Sequence, residues 1–286
     1  MRQNSEMTSP LISPEDLLPT LGGAILLDCR PRAAYDEGRL PGAFHVSLKN
    51  QLSRAGEEDF DPSRGGRHPL PEAPSFGGQL GLWGIGPDSW VVCYDDQGGA
   101  NAAARAWWML RALGHERVQV LDGGLQEIVA AGADLTREEP AIRAVPPYPV
   151  TSCRLPTAEI DRVAVLAHNA DWKVIDVRAG ERYRGETEPL DPAAGHIPGA
   201  LNLPFTLNLD PRGRFKPKEE LRRLYEDFLG GTPANHVVVH CGSGVTACHG
   251  LLGLAHAGLG DAVLFVGSWS EWCRSGRTRA MGVERG

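Results

Sequence analysis

A chain of 286 residues, 42% hydrophobic and 23% charged, is ordinary globular material with room for two domains of typical size. Its net charge of −7, with no basic stripe interleaved with aromatics, argues against a nucleic-acid partner. Nothing approaches the ~20 apolar residues that span a bilayer, and residues 1–10 lack an apolar stretch after a basic start, so a cytoplasmic protein with no membrane partner is expected.

In chain order, Ser13-Pro14-Glu15-Asp16 supplies an N-cap, a proline at the first helical position and early acids, so a short helix is expected there, ending near Thr20. Ala24-Ile25-Leu26-Leu27-Asp28 is an apolar run closed by an acid, the pattern of a buried parallel strand. The turn Gly38-Arg39-Leu40-Pro41-Gly42-Ala43 leads into a short strand at 44–46. Residues 49–80, rich in Gly, Pro, Asp and Arg, read as one long loop, and loops of that length are seldom idle. A strand at 90–95, an Ala-rich helix at 101–113 closed by Gly114, and a strand at 118–122 follow. Strands alternating with helices predict an α/β fold with a mainly parallel sheet flanked by helices. Residues 137–149 hold four prolines and no periodic pattern, which makes them the expected linker between domains at 1–140 and 150–286.

The second half repeats the first. Val174-Ile175-Asp176-Val177-Arg178 answers Leu26-Leu27-Asp28-Cys29-Arg30, and Gly195-His196-Ile197-Pro198-Gly199-Ala200 answers the turn at 38–43. Val237-Val238-Val239-His240-Cys241 answers Val91-Val92-Cys93-Tyr94-Asp95, and Phe265-Val266-Gly267 answers Leu121-Asp122-Gly123. Four ordered matches at offsets of 148, 157, 146 and 144 residues mean a duplicated domain.

The copies differ at one chemically telling place. Cys241 follows a β-branched run and precedes two glycines and a helix expected over 245–257. Bare loop N–H groups and the positive end of a helix dipole favour an anionic sulfur there. Asp95 stands at the matching position of the first half, and the Asp95-Asp96 pair argues that no anion-binding nest exists in that copy. The chemistry is therefore expected in the second half. The six cysteines, at 29, 93, 153, 241, 248 and 273, form no C-x-x-C pair, so reduced thiols are expected rather than disulfides or a metal site.

The paired Asp-x-Arg and Gly-x-x-Pro-Gly-Ala segments, the Asp95/Cys241 asymmetry and the loop Cys241-Gly242-Ser243-Gly244-Val245-Thr246 resemble the tandem-domain rhodanese-like sulfurtransferases over about residues 13–272. Within that family the loop is similar to that of 3-mercaptopyruvate sulfurtransferases. The resemblance implies that Cys241 takes sulfane sulfur from a small anionic donor as a persulfide. Pyruvate then leaves, or sulfite if the donor is thiosulfate, and cyanide, a small thiol or a thioredoxin-like protein accepts the sulfur. No metal or organic cofactor is implied. Arg182 matches the arginine that binds the donor, with the loop at Gly242, Gly244, Val245 and Thr246 around the sulfur. Ser243 and His68 match two members of a serine–histidine–aspartate arrangement that helps protonate the departing enolate.

Two places depart from the family's pattern. The expected acid falls near Lys49, with Asp59 and Asp61 close by, and a second carboxylate-binding arginine after Glu188-Pro189 is replaced by Leu190 or Asp191. Three alternatives frame the reading. A cysteine phosphatase needs an arginine where the chain has Ala247; a thiosulfate:cyanide sulfurtransferase would use the same nucleophile; a non-catalytic binding module would leave Cys241 unused. Cys248, Trp107, Trp108 and Trp272 read as packing residues, His240 and His249 as satisfied or solvated histidines rather than catalytic ones, and Trp269 as packing or a pocket wall.

Overall fold

The computed structural model describes residues 9–141, 143–150 and 153–283, so most of the leader at 1–10 lies outside the described residues. The first half comprises β1 (Leu11–Ile12), α1 (Pro14–Leu17), β2 (Ile25–Asp28), α2 (Arg32–Glu37), β3 (Phe44–His45), α3 (Ala73–Leu82), β4 (Val91–Tyr94), α4 (Ala103–Ala112), β5 (Val118–Leu121) and α5 (Gly124–Ala130). The second comprises α6 (Ile160–Leu166), β6 (Lys173–Asp176), α7 (Gly180–Tyr183), β7 (Leu201–Asn202), α8 (Lys218–Leu229), β8 (Val237–His240), α9 (Thr246–His256), β9 (Val263–Leu264) and α10 (Ser268–Trp272).

All strand pairs are parallel, in the orders β1-β5-β4-β2-β3 and β7-β6-β8-β9. The two ladders share a register. Ile25 pairs with Val91 as Lys173 pairs with Val237, Leu27 with Phe44 as Ile175 with Leu201, and Val92 with Gln119 as Val238 with Val263. Where β1 flanks β5, the second sheet has the single parallel bridge Thr157–Leu264. The α/β reading thus holds strand by strand.

Alternation along the strands sends Val91 and Cys93 to one apolar core and Val92 and Tyr94 to another. The first of these cores is shared: it takes in both sheets together with α4, α8 and α9, while each sheet buries its other face in a core of its own. The two halves are therefore packed against each other through apolar surface around α4 and α9, which places the N-terminal ends of those helices close together.

The loop expected over 49–80 is shorter than the sequence suggests, because α3 begins at Ala73. Its glycines hid it, and they have a purpose. Gly77 and Gly81 lie under the connecting segment, where Tyr148 N–H donates to Gly77 O and Val145 N–H to Gly81 O, both at 2.9 Å. A Cβ on Gly81 would stand 2.8 Å from Val145 O, so helix propensity is given up for close approach of two backbones. At α1, Ser13 Oγ accepts from Asp16 N–H at 3.1 Å, the expected cap.

Candidate active site

Both halves anchor the carboxyl edge of the sheet alike. Arg30 Nε and Nη2 bind the Asp28 carboxylate and Nη2 reaches Gly38 O at 2.7 Å; Arg178 binds Asp176 in the same way and reaches Gly195 O at 2.8 Å. The repeated Asp-x-Arg motif is thus a brace between the central strands and the Gly-x-x-Pro-Gly turn.

Cys241 continues β8 and is 2% exposed. Its N–H donates to Ser268 Oγ at 3.1 Å, its carbonyl accepts from Trp269 N–H at 3.0 Å, and Gly242 O accepts from Ser270 N–H at 2.8 Å. These bonds turn the loop carbonyls toward α10. The N–H groups of Ser243, Gly244, Val245 and Thr246 donate to no protein atom among the described residues. Gly244, at φ +76°, closes the turn, and a Cβ there would collide with Val266 O. Ser268, at φ +53°, is the one described non-glycine residue with positive φ; its hydroxyl also donates to Phe265 O at 2.9 Å. Nothing in the sequence marked that strained support.

The long first-half loop reaches this point. His68 Nδ1 lies 2.9 Å from Ser243 Oγ, bringing together two residues separated by 175 positions. Burial, then the charges of Arg67 and Arg105, lower the imidazole's pKa to about 4, so it is neutral near pH 7. Among the described residues no carboxylate hydrogen-bonds to His68. Lys49 and Asp59 are exposed, and the exposed Asp61 caps Ser63 N–H at 2.9 Å, so none completes a triad.

Arg182 lies over the loop, its Nη2 2.6 Å from Glu188 Oε1. Arg67 joins it, held by Asp191 at 3.1 Å. Arg105, from α4, is fully buried and has no carboxylate partner among the described residues; it donates to Gly244 O at 3.1 Å and His68 O at 3.0 Å. It ties the cysteine loop to the histidine loop. Trp269 is fully buried and donates to Ala193 O, so it packs beneath Arg178 rather than lining an opening. Cys248 is buried too, and burial pushes its thiol up to about 12. Among the described residues no cluster of three His, Cys, Asp or Glu side chains is placed to hold a metal ion.

The first half holds the surprise. Asp95, at the position of Cys241, accepts five backbone N–H bonds: from Gln97 and Gly99 on Oδ1, and from Asn101, Ala102 and Ala103 on Oδ2, at 2.8–3.1 Å. Burial raises this carboxyl's pKa, and the converging amides work against that rise. The expectation that an acidic loop excludes an anion nest is overturned. The nest is there, and Asp95 itself fills it.

The family model described as Rhodanese-like domain matches residues 13–131 and again 159–275. The chain belongs to the rhodanese-like domain family. It is 42% identical over 261 residues to the Pseudomonas aeruginosa protein "Probable 3-mercaptopyruvate sulfurtransferase", covering 87% of this chain and 88% of that one. It is also 33% identical over 245 residues to thiosulfate sulfurtransferase of Gallus gallus, covering 84% and 80%. The structure of 3-mercaptopyruvate sulfurtransferase from Leishmania major matches with a TM-score of 0.80 at 29% identity, over 92% of this chain and 73% of that one. The second rhodanese-like domain carries Cys241, Ser243 and Arg182; the first contributes His68, together with Arg67 and Arg105, which no local sequence pattern revealed.

Proposed function

We propose that the protein is a sulfurtransferase that moves sulfane sulfur from 3-mercaptopyruvate through a persulfide on Cys241 to a thiophilic acceptor. The observation that carries this reading is the cysteine itself: buried, at the head of a loop whose amides are unengaged, with the Ser243–His68 pair beside it. The Cys241 thiolate attacks the donor sulfur, the carbon–sulfur bond breaks, and its electron pair forms the enolate of pyruvate. The proton on the transferred sulfur ends on the enolate carbon, leaving pyruvate and an anionic persulfide. Ser243 and His68 offer a relay for that proton, and Gly242, Gly244, Val245 and Thr246 provide backbone around the charged sulfur. Arg182 suits the donor carboxylate. Cyanide then takes the outer sulfur as thiocyanate, or a small thiol or thioredoxin-like protein takes it as a persulfide, and the Cys241 thiolate returns.

Thiosulfate is the second donor reading, supported by the similarity to thiosulfate sulfurtransferase. Six free cysteines support a reducing compartment, the cytoplasm. The deciding experiment compares kcat/KM for the two donors and follows the Cys241 peptide by mass spectrometry. One added sulfur after mercaptopyruvate, with that donor preferred, is the expected result. No added sulfur with either donor would leave a non-catalytic binding module, and a preference for thiosulfate would reassign the donor.

A further inference from the structure

Four arginines are buried among the described residues, and three of them face carboxylates: Arg30 meets Asp28, Arg39 meets Glu139 and Arg178 meets Asp176. The fourth, Arg105 on α4, is fully buried and has no carboxylate partner among those residues. Its guanidinium is met by carbonyl dipoles, Gly244 O at 3.1 Å, His68 O at 3.0 Å and Leu52 O at 3.5 Å, while Nε has no hydrogen-bond partner. Burying an ion without a counter-ion is costly, and dipoles offset that cost in part. Burial lowers the arginine's pKa, and the side chains that work against the fall are Cys248 and Cys241. Cys248 supplies no anion near neutral pH, because burial pushes its thiol up to about 12. His68 and His240 are held neutral by burial. The other cations around the sulfur are paired: Arg178 with Asp176 and Glu188, Arg182 with Glu188, Arg67 with Asp191. The anion left to answer Arg105 is the sulfur of Cys241.

The duplicated helix makes the same crossing without the charge. His249 on α9 stands 144 positions after Arg105, the offset that separates Leu121 from Phe265. Each side chain reaches the loop of the other half: Arg105 Nη1 donates to Gly244 O at 3.1 Å, and His249 Nε2 lies 3.2 Å from Gly98 O. Burial lowers the pKa of His249 to about 3, so this ring is neutral. The loop it supports already pairs its own anion, Asp95, with backbone N–H groups. A neutral ring thus stands where the anion is paired, and a permanent cation stands where an anion has yet to form.

We propose that Arg105 is the counter-charge of the reacting sulfur, supplied by the first domain and held on Gly244 O, and that it stabilises the thiolate and the persulfide anion of Cys241. It acts through the loop and through its field, which makes it a positioning residue. The thiolate part rests on the geometry alone; the persulfide part rests on the sulfur-transfer reading.

Iodoacetamide, a neutral reagent, reads the Cys241 thiolate without any donor, and the exposed Cys153 in the same sample is the reference. Arg105→Gln is expected to move the pH midpoint of the Cys241 rate curve up by about one unit, a tenfold loss of thiolate, with the Cys153 curve unmoved. Arg105→Lys keeps the charge and should stay nearer the wild type. Because the effect is on the sulfur, kcat/KM should fall about tenfold for mercaptopyruvate and thiosulfate alike, leaving their ratio unchanged. An unmoved midpoint in Arg105→Gln overturns the proposal, as does an equal shift in Arg105→Lys, which would assign the residue's role to its hydrogen bonds. If Arg105→Gln fails to fold and opens the buried Cys93 to the reagent, the native chain decides. Its stability in urea relative to Cys241→Ser should then rise as pH is raised from about 6 to about 8.5, where a free thiol titrates, and a constant difference overturns the proposal. A shifted midpoint in a protein that forms no persulfide from either donor supports the counter-charge and overturns the sulfur-transfer reading instead.

Discussion

The loop after β4 and the loop after β8 leave the same edge of the same fold, and they differ in what their backbone amides hold. After β4, five N–H groups close on the Asp95 carboxylate. After β8, the amides of residues 243–246 hold no protein atom among the described residues, and Cys241 stands where the aspartate would be. A carboxylate oxygen of aspartate and the outer sulfur of a cysteine persulfide lie the same number of bonds from Cα. Asp95 is therefore a permanent internal counterpart of the anion that sulfur transfer would form on Cys241. The two loops also touch: Thr246 Oγ1 donates to Ala100 O at 3.4 Å, and His249 Nε2 lies 3.2 Å from Gly98 O. The satisfied loop serves as a stiff support for the unsatisfied one, which is what pre-organised electrostatic stabilisation requires.

The largest break in the comparison comes from the nucleophile. Cys241→Ser is expected to lower kcat/KM for mercaptopyruvate by at least about 10³-fold, since an unactivated hydroxyl neither attacks sulfur nor carries a persulfide. A smaller loss in steady-state assays would move the chemistry off this loop. Gly244→Ala comes next. At φ +76° an L side chain is strained by ~1–3 kcal/mol before its collision with Val266 O is counted, so the variant should lose stability in urea and most of its transfer rate together.

Asp95→Asn attacks the other loop. It puts an NH2 group where a carboxylate oxygen accepts N–H bonds, at a cost of about 2–3 kcal/mol in chemical denaturation, roughly one charge-assisted hydrogen bond left unmet. Cys241 should still form its persulfide. Loss of persulfide formation with stability unchanged would mean that Asp95 takes part in the chemistry rather than supporting it.

What the sequence made legible follows from what it can encode locally. Strand runs, the Asp-x-Arg braces and the thiol before two glycines are short patterns, and the duplication supplied a second reading of each. The ladder registers of the two sheets then fall at the same offsets as the motifs. What stayed hidden is non-local or concerns direction. Arg67 meets Asp191 across 124 positions and Arg105 meets Gly244 across 139, contacts that only the packing of one half on the other creates. The nest at Asp95 is illegible in sequence because the residue's charge is visible there while the direction of its side chain, turned inward onto its own loop, is not. Helix α3 carries no helical signature in sequence because its glycines, placed for backbone contact, have the composition of a loop.

The seam between the loops also titrates. Burial lowers the pKa of His68 to about 4 and that of His249 to about 3, against 6.5 for the free side chain. Below pH 6.5 the unfolded chain takes up protons that the folded protein refuses. The stability these histidines contribute is thus complete above pH 6.5 and falls with pH, down to about 4 for His68 and about 3 for His249. Each adds at most about 1.4 kcal/mol per pH unit to the slope. His249→Asn, measured by urea unfolding from pH 7 to 4, should flatten the slope; an unaltered slope would show that the ring gains a proton while folded.

The smallest effect is the sharpest test of the comparison. If the second loop is built for the anion that Asp95 imitates in the first, loading Cys241 with sulfur should bring stability as well as reactivity. A persulfide anion that engages the free amides of residues 243–246 would add about 1 kcal/mol, a rise of about 2–4 °C in Tm for domains of this size. Cyanide, by removing the outer sulfur, should reverse the rise in the same sample, and Cys241→Ser should show neither change. A persulfide seen by mass spectrometry with no shift in Tm would mean that the outer sulfur points away from the loop amides. The likeness to Asp95 would then be one of position in the chain and not of electrostatics.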